Sequence, residues 1–285
     1  MTGVQTCALP ISYLRRVDGE THEIILSSPL GGQERVLSRI NTRESVAHLS
    51  RPAWTVDSKA LIISDLDPQT DQFRLWELSI DSMQRTPLTA PPPGTAGDRS
   101  PAVSPDGEWL AFVRESFLAG QIAVMPLKRI QSVDWPKVIT AETKYYFDMI
   151  WNAGSDEIIF SAGEAMGQGD FRLWRIPFRG LDGQRPEDQP VRIEEAPPGS
   201  YAPSVSPDGA TLLYTSLQVD ENIWRIDRAS ASAAWSEPRK FMELSSTRSD
   251  AFPSFSADGE RISFVSNRSG EYDLWVSNQI GRAHV

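Results

Sequence analysis

Cysteine is almost missing from this 285-residue chain, histidine occurs three times, and no run of 18 apolar residues is present. A single cysteine, Cys7, excludes a disulfide framework. The lack of a long apolar run excludes a membrane-spanning helix within this sequence. Positive charge is also in deficit, with 28 Lys and Arg against 38 Asp and Glu and a formal net charge of -10 at pH 7. Phosphate backbones are gripped by Lys and Arg in excess, so no nucleic acid is expected to bind this segment.

Catalytic signatures are absent as well. There is no Gly-x-Ser-x-Gly elbow, no Gly-x-x-x-x-Gly-Lys phosphate loop and no His-Glu-x-x-His pair. His22 precedes Glu23 without a second histidine four residues on, so His22 and His48 read as surface or packing residues. The stretch Asp65-Leu66-Asp67-Pro68-Gln69-Thr70-Asp71 is the one similar to a calcium loop. It has Thr70 where the loop needs glycine and Trp76 where it needs a bidentate glutamate, and an acidic hairpin is the better reading. No catalytic residue, cofactor or metal is assigned, and the segment is expected not to be an enzyme.

What the chain has in quantity is a repeat. Ser256-Ala257-Asp258-Gly259 precedes the strand Arg261 to Val265, a turn at Asn267 to Gly270, and the strand Leu274-Trp275-Val276. Asp-Gly supplies a tight turn, because Asp bonds the local backbone and Gly tolerates positive φ. Ser104-Pro105-Asp106-Gly107 and Ser206-Pro207-Asp208-Gly209 repeat the unit, while Thr55-Val56-Asp57-Ser58 and Asn152-Ala153-Gly154-Ser155 are decayed copies. The anchors 57, 106, 154, 208 and 258 are separated by 49, 48, 54 and 50 residues. A period of roughly 40 to 50 with several short strands per repeat is the signature of a β-propeller. Trp76, Trp174, Trp224 and Trp275 fall 16 to 20 residues after their anchors, in the third strand of each repeat, where they are expected to pack between blades.

These residues predict an all-β chain of four-stranded antiparallel blades, four complete and two partial, with six or more in the full protein. Blades are expected at 13–48 (partial), 49–98, 99–146, 147–198, 199–250 and 251–279 (partial). Residues 1–12 and 280–285 are read as translated sequencing adapter, since Ile280-Gly281-Arg282-Ala283-His284-Val285 is what a common library adapter encodes; Cys7 then lies outside the genuine protein.

The Ser-Pro-Asp-Gly repeats, with Phe264-Val265-Ser266-Asn267-Arg268-Ser269-Gly270 and Leu274-Trp275-Val276, resemble the TolB-type, WD-like propeller repeat over the whole of 13–279. The flow from Gly31-Gly32-Gln33-Glu34-Arg35 through Gly97-Asp98-Arg99-Ser100-Pro101 to Asn222-Ile223-Trp224-Arg225 further resembles the C-terminal propellers of bacterial winged-helix transcriptional regulators. That resemblance implies a non-catalytic module that senses or binds a protein or peptide, placed outside the cytoplasm. It also implies a membrane span and a basic DNA-binding domain upstream of Tyr13. The alternatives are the propeller of a prolyl-oligopeptidase-like serine hydrolase, with its Gly-x-Ser-x-Gly elbow downstream of Gln279, or a periplasmic TolB-like protein. In a propeller the loops leading into the first strands converge on one channel mouth, so Asp98, Arg99, Tyr201, Asp250 and Phe252 are the candidate contact residues.

Overall fold

The computed structural model describes residues 10–28, 32–42, 50–116, 119–128, 136–140, 144–163, 171–185, 187–217, 221–230, 232, 234–242, 244–270, 272–278 and 283–284. His48, most of both terminal stretches and the glycine-rich hairpin after Gly163 lie outside these residues. Every regular element among them is a strand. The chain forms two compact units, residues 1–217 and 218–285.

In the first unit, β1 (Ile11–Arg16), β2 (Thr21–Ser27) and β3 (Arg35–Asn41) make a three-stranded antiparallel sheet. The second repeat supplies β4 (Ala53–Trp54), β5 (Ala60–Asp67), β6 (Gln72–Ser79) and β7 (Arg85–Pro87). The third supplies β8 (Gly97–Val103), β9 (Trp109–Glu115), β10 (Gly120–Pro126) and β11 (Lys137–Val138). The fourth supplies β12 (Tyr145–Trp151), β13 (Glu157–Gly163), β14 (Arg172–Pro177) and β15 (Val191–Arg192). Each of these three repeats pairs its strands antiparallel in chain order, and one parallel bridge, Phe73 to Gly97, joins the second sheet to the third.

The turns form as their residue types dictate. The Asp106, Asp208 and Asp258 carboxylates each accept the hydroxyl of the serine two residues back at 2.5 Å, and the amide two residues on at 2.9, 3.0 and 3.0 Å. Thr55 and Asp57 reproduce the arrangement at 2.7 and 3.1 Å. The fourth repeat closes its turn differently: Asn152 Oδ1 accepts the amides of Asp156 and Glu157, both at 3.1 Å, and Ser155 takes the positive φ of 59°.

Alternation along each strand sends neighbours to opposite faces. Leu61 and Ile63 of β5 pack with Ile24, Leu37 and Ile40 of the first repeat, whereas Ile62 packs with Leu110 and Phe112 of the third. On β9, Ala111 and Val113 turn the other way, onto Tyr146, Met149, Trp151 and Phe160 of the fourth. Every middle sheet is therefore apolar on both faces and sandwiched by its neighbours. Leu110 to Val113 are fully buried, each large side chain contributing about 1.5–3 kcal/mol relative to exposure. Trp76 and Trp174 lie against these clusters as expected.

The acidic hairpin holds arginine. The Asp67 carboxylate receives Arg74 at 2.9 Å, and Asp65 pairs with Arg85, which also bonds Ser38 and the Arg39 carbonyl of the first repeat. His22 is buried with Nδ1 3.0 Å from Thr42 Oγ1, a packing role.

The fifth repeat departs from the expected complete blade. Its four strands form two pairs, β16 (Ser200–Val205) with β17 (Leu212–Ser216) in the first unit, and β18 (Trp224–Arg225) with β19 (Arg239–Lys240) in the second. β18 is two residues long because Asp227 leaves the ladder: its carboxylate takes Arg225 and Arg239 at 2.8 and 2.9 Å, and Ser236 donates to its carbonyl at 2.7 Å. Trp224 is 62% exposed, unlike its three counterparts.

The last repeat comprises β20 (Asp250–Phe255), β21 (Arg261–Ser266), β22 (Asp273–Asn278) and β23 (Ala283–His284), a four-stranded sheet where three strands are expected. β23 comes from the stretch read as adapter, as do Ile11 and Ser12 of β1. Both pair through main-chain groups, which any sequence supplies. Phe264 and Ile262 centre this unit's core, with Trp275 against them.

Candidate functional site

The first strands of the third to sixth repeats carry the same irregularity. Pairing breaks between Arg99 and Ala102 on β8, between Tyr146 and Met149 on β12, and between Tyr201 and Ser204 on β16; in the second unit it breaks between Ala251 and Ser254 on β20. Proline lacks the donor a ladder needs, so Pro101, Pro203 and Pro253 fall inside these bulges. The residue before each proline is left-handed: Ser100 at φ 52°, Ala202 at 56° and Phe252 at 54°. Such conformations cost about 1–3 kcal/mol each for a non-glycine residue and persist where surrounding structure enforces them.

In the first unit the bulges wall one cleft of about 280 Å³. Arg51, Trp54, Ser100, Asp148, Trp151 and Pro203 line it, drawn from the first strands of four successive repeats or the chain just before them. These strands are tied across repeats by hydrogen bonds. The Ser100 amide donates to Ser50 Oγ at 2.8 Å, Ser100 Oγ donates to the Phe147 carbonyl, and Trp151 Nε1 donates to the Ala102 carbonyl at 3.0 Å. Arg51 Nε stands 3.8 Å from Asp148 Oδ1. Burial pushes the Asp148 carboxyl up, and the Arg51 charge works against that shift. Beside Asp148, Phe147 meets the Phe171 ring edge-on at 4.1 Å, and Phe171 meets Tyr201 at 6.2 Å.

The residues expected at a channel mouth divide. Asp98 has no exposed surface and is held by Arg114 through two bonds of 2.8 and 3.0 Å. Arg99 is buried over the Phe73 ring at 3.6 Å and pairs with Glu115 at 3.1 Å. Burial raises the Glu115 carboxyl, with Arg99 opposing it. Tyr201 is half-buried in the aromatic trio. In the second unit Asp250 is buried, taking Arg268 and Ser266 Oγ at 2.6 Å each, while Phe252 is 69% exposed. Asp98 and Asp250 occupy the same position of their repeats and both clasp an arginine, a structural role. The cleft residues Arg51, Ser100 and Asp148 were not among the candidates. The signal was available: counted back from the turn anchors, each stands immediately before the proline or, in Asp148, before the Met149 that replaces it.

No protein-family model and no curated protein matches the sequence. Among solved structures, TolB from Acinetobacter baumannii is similar, with a TM-score of 0.54 and 20% identity over 96% of this chain. The fold is a β-propeller. It is TolB-like in architecture, and the chain spans 62% of the length of that TolB chain. The β-propeller domains of Cps50 (Swd1) from Myceliophteria thermophila and of the Trilobed protease from Pyrococcus furiosus are more distant. Their TM-scores are 0.42 and 0.38, their identities 13% and 11%, over 99% and 96% of this chain and 86% and 82% of theirs. Among the described residues no helix is long and apolar enough to cross a membrane, and no group of three or more His, Cys, Asp or Glu side chains is placed to hold a metal.

Proposed function

We propose that this propeller is a non-catalytic interaction or sensory module of a larger bacterial protein, and that it engages a protein or peptide segment outside the cytoplasm. A winged-helix transcriptional regulator is the parent its repeats resemble most. The observation that supports the reading is the cleft between the first strands. It is concave, has a mainly apolar wall of proline and tryptophan, and presents a few polar groups, Arg51, Ser100 and Asp148. Bulges on β8 and β12 hold Ser100 and Asp148 on rigid strands, which lowers the ordering cost of binding.

A photo-crosslinking residue at Ser204, exposed at the cleft wall, tests the reading in the intact parent protein. A discrete adduct is expected, weakened by Arg51→Glu combined with Asp148→Arg. An absent adduct, or one indifferent to those changes, refutes the cleft as the contact surface. The chain should show neither salt-sensitive DNA binding nor turnover of ester or peptide substrates; either result overturns the module assignment.

A further inference from the structure

We propose that Asp182–Gly183 is a self-modification site, at which the main chain rearranges to isoaspartate several-fold faster than at any other Asp-Gly pair of the chain. The reaction needs only water. The Gly183 amide nitrogen attacks Asp182 Cγ, a C–N bond forms, and the carboxyl oxygen leaves as water with the amide and carboxyl protons. The resulting succinimide then takes up one water. Opening at the main-chain carbonyl leaves the backbone running through the former side chain, with composition unchanged and nothing oxidised or reduced. Glycine permits this because no side chain shields its nitrogen. The rate then depends on whether the carboxyl carbon and that nitrogen are free to meet.

The sequence has five Asp-Gly pairs, at Asp18, Asp106, Asp182, Asp208 and Asp258. At Asp18, Oδ1 accepts the amides of Glu20 and Thr21 at 2.9 and 2.7 Å, which restrains the carboxyl. At the three Ser-x-Asp-Gly turns the carboxylate is held by the serine hydroxyl and the amide two residues on. The attacking nitrogen is held too: the amides of Gly107, Gly209 and Gly259 donate to the serine carbonyls at 2.8, 2.8 and 2.9 Å. Hydrogen bonding further keeps the Asp18, Asp208 and Asp258 carboxyls below the usual range, and an ionised carboxylate is a poor electrophile.

Asp182 has a different setting. Its side chain is fully exposed, and its ion pair is with Lys137 Nζ at 3.5 Å, on a half-exposed flexible side chain. The Gly183 amide reaches the Gly180 carbonyl at 3.2 Å, longer than the equivalent bonds at the protected turns. The serine cap thus has a chemical consequence besides a structural one, since it holds both reacting groups at the Asp-Gly turns of the third, fifth and sixth repeats, a restraint that Asp182–Gly183 lacks. Leu181, buried with Trp151 and Phe178, precedes the reactive residue, so the rearrangement inserts a methylene beside a core anchor.

The test ages the full chain at neutral pH and body temperature in water enriched in heavy oxygen, then maps peptides by mass spectrometry with electron-transfer fragmentation. Isoaspartate carrying heavy oxygen should accumulate first at Asp182, and Asp182→Glu should abolish that product. Removing one cap with Ser256→Ala should accelerate rearrangement at Asp258 several-fold. Equal or faster accumulation at a capped pair in the unaltered chain overturns the proposal, as does an Asp258 rate indifferent to loss of Ser256.

Discussion

Gly97 is where the second and third blades touch through their backbones, and replacing it with alanine tests that packing. Its φ is +117°, and a Cβ there would sit 2.1 Å from the Phe73 carbonyl oxygen and 2.4 Å from the Phe73 nitrogen. Those are main-chain atoms of β6, fixed by the Phe73–Gly97 bridge and by the Phe73 amide bond to the Ala96 carbonyl at 3.0 Å. Relief requires the strands to separate. The left-handed conformation costs about 1–3 kcal/mol, and a lost backbone bond about 1 kcal/mol more. The reduced freedom of the unfolded chain returns about 0.4–1 kcal/mol, so Gly97→Ala should destabilise by about 1–4 kcal/mol. Gly107→Ala is the comparison: φ is +70°, and the nearest atom is a Val56 methyl at 3.2 Å that can yield, so about 1 kcal/mol is expected. Gly19→Ala meets nothing within 4 Å and should be neutral or slightly stabilising. Denaturant titration followed by tryptophan fluorescence reads the order from midpoints at constant slope. Gly97→Ala within about 0.5 kcal/mol of the unaltered chain, or less harmful than Gly107→Ala, refutes the argument.

The architecture was legible because the repeat writes its turn chemistry in short-range residues. Ser, Asp and Gly at fixed spacing determine a hydrogen-bond pattern on their own, and the same pattern recurs at 104, 206 and 256. Trp76, Trp174 and Trp275 were legible for a related reason, as large rings at a similar offset from a turn reach the core, whereas Trp224 stands exposed. The site was less so. Whether Asp98 faces a channel or a guanidinium is decided by Arg114, 16 residues on and across a strand pair. Periodicity cannot distinguish those outcomes, since a polar residue at a strand start suits both. Two of the cleft's bulges were hidden in Pro101 and Pro203: a proline in a first strand signals an interrupted ladder, yet only the three-dimensional stacking of successive first strands turns interruptions into a cleft. The shortness of β18 has its cause in the long insert after Asp227, where Asp227 and Ser236 bond one another before the outer strand begins.

The remaining predictions address fold, charge and acidity. Far-UV circular dichroism should show a β spectrum, and more than about a fifth helix would contradict the propeller, given that ordinary domains average near a third. Asp98→Asn keeps the shape but leaves the Arg114 charge buried without its anion, which should cost about 3–5 kcal/mol in denaturant titration; a loss below about 1 kcal/mol would mean that water reaches the pair. The last concerns pH, where two sets of carboxyls act with opposite sign. Hydrogen bonds from Thr55, Ser206 and Ser256 lead the causes that hold Asp57, Asp208 and Asp258 below the usual range. A lowered folded value gives stability that is complete above the unfolded carboxyl range and is lost as pH falls through the folded value. Burial raises Glu115 and Asp148, whose contribution is complete below the unfolded range and is lost as pH rises through their folded values. Stability should therefore decline on the acid side through the turns and on the neutral side through the buried pair. Ser206→Ala combined with Ser256→Ala should flatten the acid limb alone, whereas Asp148→Asn should flatten the neutral limb alone. Midpoints measured across pH for both variants separate the two, and a serine double variant that altered the neutral limb while sparing the acid one would show that the caps do not set those acidities.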